Sequence, residues 1–104
     1  MIFIETSQFT AILDNYLNDD EYRELQNYLL ENPNIGAIIR GSGGIRKLRW
    51  AARGKGKSGG IRVIYYYAPT PDHIYFLTVY GKDEQENIDA ATLKRLAKLL
   101  EKLK

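Results

Sequence analysis

A run of positive charge lies between residues 40 and 62. Eight of its side chains are basic and none is acidic, although the whole chain of 104 residues has a formal net charge of only +2. The basic residues are Arg40, Arg46, Lys47, Arg49, Arg53, Lys55, Lys57 and Arg62. Because solvated surfaces usually mix both signs, this segment predicts a polyanionic partner such as a nucleic acid. The alternative is a cationic loop that serves only solubility.

Arg62 is the most unusual of these cations because it interrupts an apolar run, IRVIYYYA at residues 61–68. If that run is a strand, Arg62 shares one sheet face with Ile64 and Tyr66. A charge inside a central strand is costly unless it is paired or its face is open. Arg62 could therefore form a salt bridge with an acid from a helix. The sharper hypothesis is an anion site at an uncovered sheet face, where the guanidinium binds a phosphate in bidentate fashion.

The other residue types argue against several chemistries. There is no cysteine, and the single histidine, His73, stands beside a proline-rich turn, where we expect an exposed residue at the start of a strand. Asp83, Glu84 and Glu86 precede a predicted helix, where acids usually form a solvated segment favoured by the helix dipole. The motif GKGKSGG at residues 54–60 lacks the strand-to-helix context of a nucleotide-binding loop. We therefore expect no metal, no cofactor and no Ser-His-Asp triad.

The remaining cations and tyrosines permit one reaction on RNA. A ribose 2′-hydroxyl can attack its adjacent phosphate if protein groups remove its proton, stabilise the phosphoryl charge and protonate the departing 5′-oxygen. Arg62 suits the second task but is a poor base, because a guanidinium stays protonated. Tyr80 or Lys82, at the end of the next predicted strand, would serve in proton transfer, because neighbouring cations favour the deprotonated form of either group. These residues permit a ribonuclease without establishing one.

The elements that would position these residues form one α+β domain over residues 1–104. Apolar stripes at helical spacing predict two helices before Pro33 and a last helix. The expected caps are Ser7 or Thr6 for the first helix, Asn18–Asp20 for the second and Asp89 for the last. The predicted strands cover residues 2–5, 46–52, 61–68 and 73–80. The predicted order is β-α-α-β-β-β-α, an antiparallel sheet with helices on one side and a glycine-rich hairpin tip at residues 54–60.

The sequence also bears on the compartment. No apolar stretch approaches the ~20 residues that a membrane-spanning helix needs, and the N-terminal residues lack the pattern of a signal peptide. The absence of cysteine suits a reducing compartment. We expect a cytoplasmic protein without a membrane partner.

Three segments resemble a known family. They are GSGGIRKLR at residues 41–49, GKGKSGGIRVIYY at residues 54–66 and LTVYGKDE at residues 77–84. With the element order, they strongly resemble the HigB-like branch of the RelE toxin superfamily, over nearly the whole chain. The resemblance implies a compact α+β toxin that cleaves mRNA in the ribosomal decoding site, without a metal, and leaves a cyclic phosphate.

The resemblance also implies partners and residue roles. A cognate antitoxin, in this branch often a helix-turn-helix protein of the HigA kind, would neutralise the toxin and bind operator DNA in complex with it. The family's strand arginine falls on Arg62 and its late-strand lysine on Lys82, with Tyr80 beside them as a possible substitute in proton transfer. The family's RNA-binding cations fall on Lys47, Arg49, Arg53, Lys55 and Lys57.

Two departures from the family pattern leave other functions open. Asp83 stands where a second arginine often follows the late-strand lysine, and Ile88 and Asp89 occupy the region where some members have a tyrosine. One alternative is a protein that binds RNA or the ribosome and blocks translation without cutting. Another is a protein-interaction module whose basic face meets an acidic partner helix.

Overall fold

The computed structural model describes residues 1–52 and 60–104. One sheet has the strand order β1-β5-β4-β3-β2. The elements are β1 (Ile2–Glu5), α1 (Ser7–Ile12), a 3₁₀ turn (Leu13–Asn15), α2 (Asp19–Glu31), β2 (Ala37–Ile38), β3 (Arg46–Trp50), β4 (Ile61–Ala68), β5 (His73–Gly81) and α3 (Ala90–Leu103). The α+β class is confirmed, but β2 is an additional edge strand, and β1 pairs with β5 in parallel rather than antiparallel.

Polar caps fix where the helices begin. Thr6, Asn18 and Asp89 each accept a hydrogen bond from the main-chain N–H three residues further along. Glu21 completes a capping box by accepting from the N–H of Asn18 at 3.0 Å. Each bond satisfies an amide that the first helical turn leaves without a partner. The predicted helix starts are therefore confirmed. Within the two described ranges, no helix is long and apolar enough to cross a bilayer.

Helices cover both faces of the sheet, so the expectation of helices on one side was wrong. α1 and α2 bury Phe9, Leu25 and Leu29 against one face. α3 buries Leu96 and Leu100 against the other face. The reason lies in the central strands, whose successive side chains point to opposite faces and are apolar on both. A sheet of this kind is stable only when each face has a cover.

A candidate anion site where three strands end

The sheet register places three basic or aromatic residues in one row. Arg49 in β3 lies opposite Arg62 in β4, and Arg62 lies opposite Tyr80 in β5. Residues directly opposite in antiparallel strands have Cβ atoms about 4.5–5.5 Å apart. The row lies on the sheet face that α3 covers, because Tyr80 packs in the α3 core and Arg62 has the same parity as Ile64 of that core.

Two cations lie side by side in this row in different environments. Arg62 is buried, with only 7% of its surface exposed, and its Nη1 donates to the carbonyl oxygen of Ile61 at 3.2 Å. Arg49 is exposed. Like charges directly opposite each other destabilise a sheet, and a buried cation loses hydration. An anion bound beside the two arginines would offset the repulsion between them, so the arrangement favours anion binding.

A surface cleft of about 320 Å³ opens at this end of the sheet. Among the described residues, Arg49, Arg62 and Lys82 supply its positive charge, and Trp50, Ala51 and Gly60 also line it. The site thus opens at the strand ends, and not over an uncovered sheet face as the sequence suggested. A cleft with three cations suits a phosphate group.

Gly60 lets two strands approach closely at this cleft. Its φ of +77° is in the left-handed region, and a Cβ there would lie 2.5 Å from the carbonyl oxygen of Trp50. Only glycine permits this close approach of β3 to the start of β4. The Gly60 carbonyl oxygen also accepts a hydrogen bond from the N–H of Lys82 at 3.1 Å, which fixes the turn after β5 beside Arg62.

Tyr80 is buried beside the cleft and does not line it. Its hydroxyl has no hydrogen-bond partner among residues 1–52 and 60–104. Burial raises the pKa of the phenol, and this outweighs the charge of the Arg62 guanidinium, which lowers the pKa. The expectation that neighbouring cations favour a deprotonated tyrosine is therefore wrong in net direction. Tyr80 is protonated near neutral pH and is a potential hydrogen-bond donor.

Of the predicted RNA-binding residues, Arg49 lines this cleft and Lys47 does not. Lys47 donates from Nζ to Oδ1 of Asn87 at 3.1 Å, and it lines a separate cleft of about 420 Å³. Arg49 lines both clefts and so connects them. The remaining predicted cations lie outside the described ranges: Arg53, Lys55 and Lys57.

Sequence reasoning missed one pair of residues that supports the cleft. The hydroxyl of Tyr16 donates to Oε1 of Glu84 at 2.6 Å, and the N–H of Gly81 donates to the same oxygen at 2.7 Å. Burial raises the pKa of Tyr16 to about 12, with further contributions from the Glu84 hydrogen bond and the charges of Glu84 and Asp83. In the sequence, Tyr16 only continues the apolar stripe of the first helix, so no local signal identifies its role.

Comparisons with known proteins agree with this fold. A family model described as "RelE toxin of RelE / RelB toxin-antitoxin system" matches residues 30–104, the range that contains every described residue lining the cleft of Arg49, Arg62 and Lys82. A solved structure of the E. coli toxin RelE, a mutant in the free state, is similar in fold, with a TM-score of 0.54 and 18% sequence identity over 92% of each chain. The chain therefore belongs to the RelE toxin family of toxin–antitoxin systems.

Proposed function

We propose that this RelE-family toxin is an endoribonuclease that cuts mRNA on the ribosome. The observation that supports it best is the cross-strand row of Arg49, Arg62 and Tyr80, in which the two arginines line the cationic cleft. Arginines on neighbouring strands concentrate positive charge at the cleft, which suits a phosphodiester. The strand ends thus provide a phosphate-binding site of the kind that phosphoryl transfer requires.

The reaction that fits these groups is attack by the RNA on itself. The ribose 2′-oxygen loses its proton and bonds to the adjacent phosphorus, the bond from phosphorus to the 5′-oxygen breaks, and that oxygen takes up a proton. The products are a 2′,3′-cyclic phosphate and a 5′-hydroxyl. Arg62 would stabilise the charge on the non-bridging oxygens, because its position is fixed before the substrate binds. Arginine and lysine charge can serve this step without a metal ion.

Lys82 and Tyr80 would divide the remaining work. Lys82 is exposed and lines the cleft, so it is the better placed of the two for proton transfer at a bound ribose. Tyr80 is protonated, and its hydroxyl has no hydrogen-bond partner in the described ranges, so it can donate to a phosphate that binds Arg62. Arg49 and Lys47 would hold the flanking backbone, together with Arg53, Lys55 and Lys57.

We further propose that the toxin belongs to the HigB-like branch, acts in the cytoplasm and has a helix-turn-helix antitoxin of the HigA kind as its partner. The proposal rests on the segments GSGGIRKLR at residues 41–49 and GKGKSGGIRVIYY at residues 54–66. In this arrangement the toxin meets operator DNA only through the antitoxin. Co-purification with the product of the adjacent open reading frame tests the partner.

Primer extension on a reporter mRNA tests the proposed activity. The mRNA is recovered after brief expression of the wild type, Arg62→Ala and Arg23→Ala in a bacterial host. Arg23 is a matched control because it is an exposed cation on α2, paired with Asp20 at 3.5 Å. We expect new in-frame 5′ ends with the wild type and with Arg23→Ala, and none with Arg62→Ala.

Two further observations complete this test. Circular dichroism of Arg62→Ala and of the larger replacement Arg62→Gln separates loss of the site from loss of the fold. Intact mRNA together with halted translation would overturn the nuclease proposal and indicate a protein that blocks the ribosome without cutting.

A further inference from the structure

A second cationic surface lies on α3, away from the Arg62 cleft. Lys94, Lys98 and Lys102 are exposed and recur every four residues, so they form one stripe along the helix with steps of about 6 Å. We call them the α3 lysine stripe. Arg95 is exposed beside the stripe, and Glu101 is the one acid between residues 90 and 104.

The stripe has no counter-charge within the part of the chain that the structure describes. None of its three lysines takes part in an ion pair or a hydrogen bond there, whereas Lys104 pairs with Glu101 and Arg95 donates to Gln8 at 2.8 Å. Like charges four residues apart repel each other and destabilise a helix. Three lysines in this spacing are therefore unfavourable for the free protein, and an anionic partner would relieve the repulsion.

The stripe borders a groove that continues beyond the helix. A shallow groove of about 560 Å³ runs along α3 between Lys94 and Lys102. Lys94 also lines an adjoining cleft of about 460 Å³, whose opposite wall contains Arg40 from the turn after β2. The positive surface is thus formed by two elements and is wider than one helix face.

The lining of the groove suits phosphates better than a protein partner. Among the residues that the structure describes, four cations line the groove along α3, and the apolar lining is Ala91 and Leu99. Lysine is depleted from protein–protein interfaces, which usually have aromatic anchors in their centre. Phosphodiester backbones are commonly bound by lysine and arginine side chains, without base-specific contacts.

The position of the stripe indicates which RNA would bind it. Four acids, Asp83, Glu84, Glu86 and Asp89, lie along the chain between the turn that holds Lys82 and the start of α3. This exposed acidic segment would repel a single mRNA strand that followed it from the cleft to the stripe. We propose that the α3 lysine stripe binds the phosphate backbone of ribosomal RNA and docks the toxin on the ribosome, an inference that rests on the proposed function.

Binding to purified 30S subunits without mRNA tests this docking surface. The dissociation constant is measured between 50 and 200 mM salt for the wild type and three variants. One variant carries Lys94→Gln, Lys98→Gln and Lys102→Gln together. The other two are the single replacements Lys98→Gln and Arg23→Gln. Lys98 and Arg23 are both exposed helical cations, so the single variants remove equal charge. We expect the triple variant to bind about tenfold more weakly than the wild type. The salt slope, which is the fall of log K with the logarithm of the salt concentration, should be smaller by about 2 for the triple variant and by about 0.7–0.9 for Lys98→Gln. Arg23→Gln should match the wild type.

The other outcomes separate this inference from the proposed function. Unchanged mRNA cleavage at saturating ribosomes, with a higher KM for the triple variant, supports a docking role outside the cleft. An affinity and salt slope equal to those of Arg23→Gln would overturn it, as would tighter stripe-dependent binding to a polyglutamate peptide than to 30S subunits. If the wild type binds 30S subunits through the stripe but cuts no mRNA, the docking surface stands and the nuclease proposal fails.

Discussion

The hydroxyl of Tyr16 and the carboxylate of Glu84 meet at 2.6 Å, although 68 positions separate the two residues in the chain. Tyr16 follows the 3₁₀ turn after α1, and Glu84 belongs to the turn that carries Lys82. The helical segment on one face of the sheet thereby fixes a cation that lines the cleft. Tyr16 does not itself line the cleft, so we infer that it acts by holding the turn that carries Lys82.

Replacing Tyr16 by phenylalanine should slow RNA cleavage while the fold is kept. The ring still fills its place, but Glu84 loses a charge-assisted bond, at a cost of about 1.5–3 kcal/mol of unfolding free energy. Tyr22→Phe is a matched control because the Tyr22 hydroxyl donates to Glu5 at 2.7 Å, outside the cleft. Urea unfolding and single-turnover cleavage should show similar stability losses for both variants and slower cleavage only for Tyr16→Phe. Equal cleavage by the two variants would contradict the positioning role.

The Tyr16 bond should also have a distinct alkaline pH dependence. The pKa of Tyr16 is raised from an ordinary value of 10.0 to about 12, so the folded state favours the protonated phenol. The stability gained is fully present below pH 10 and is lost as the pH rises towards 12. The difference in unfolding free energy between wild type and Tyr16→Phe should be constant from pH 7 to 9 and shrink from pH 10 to 12. A difference that already shrinks below pH 9 would rule out the phenol as the donor.

Tyr80→Phe should separate stability from activity. Removing a buried hydroxyl without a partner in the described ranges removes an unsatisfied polar group, so we expect unchanged stability or a gain of up to about 1–3 kcal/mol. If the hydroxyl serves a phosphate bound at Arg62, cleavage should nevertheless slow. Thermal unfolding and cleavage rates measure the two effects on one sample. A clear loss of stability, or an unchanged rate, would show that Tyr80 has only a packing role.

Two arginines of β3 should respond in opposite ways to replacement by glutamine. Arg46 donates from Nη1 to the carbonyl oxygens of Asn34 and Gly36, at 3.0 and 2.7 Å, so Arg46→Gln should lower stability and leave the salt slope of RNA binding unchanged. Arg49 lies opposite Arg62, so Arg49→Gln should relieve repulsion worth about 0.2–1 kcal/mol. It should also lower the salt slope by about 0.7. A fluorescence-anisotropy salt titration with single-stranded RNA measures the slope for both variants. If Arg49→Gln has the same slope as the wild type, Arg49 does not belong to the RNA-binding site.

Local patterns sufficed to predict the features that depend on local bonds. The caps at Asn18 and Asp89 and the shared face of Arg62 and Ile64 follow from residue types and alternation within a few positions. The row of Arg49, Arg62 and Tyr80 depends instead on how three strands align.

A bulge shows why that alignment could not be derived. The register shifts between Ile64 and Tyr65, so Tyr65 lies opposite Phe76 and Leu77 is passed over. A single-residue shift of this kind changes which side chains of β5 face those of β4. No turn motif in the sequence predicts this shift. The Tyr16–Glu84 bond is equally non-local, because it needs the helices and the turn after β5 to be placed first.

The parallel pairing of β1 with β5 has a consequence for synthesis of the toxin. Ile2 lies opposite His73, so the first strand has no partner in the sheet until some seventy further residues have been translated. Contacts of such long range close late in folding, because the loop between them must first be ordered. Tyr80 lies in the same late strand, so the row of Arg49, Arg62 and Tyr80 cannot form while β5 is unfinished. The order of strands along the gene thus delays assembly of this row until β5 has been translated.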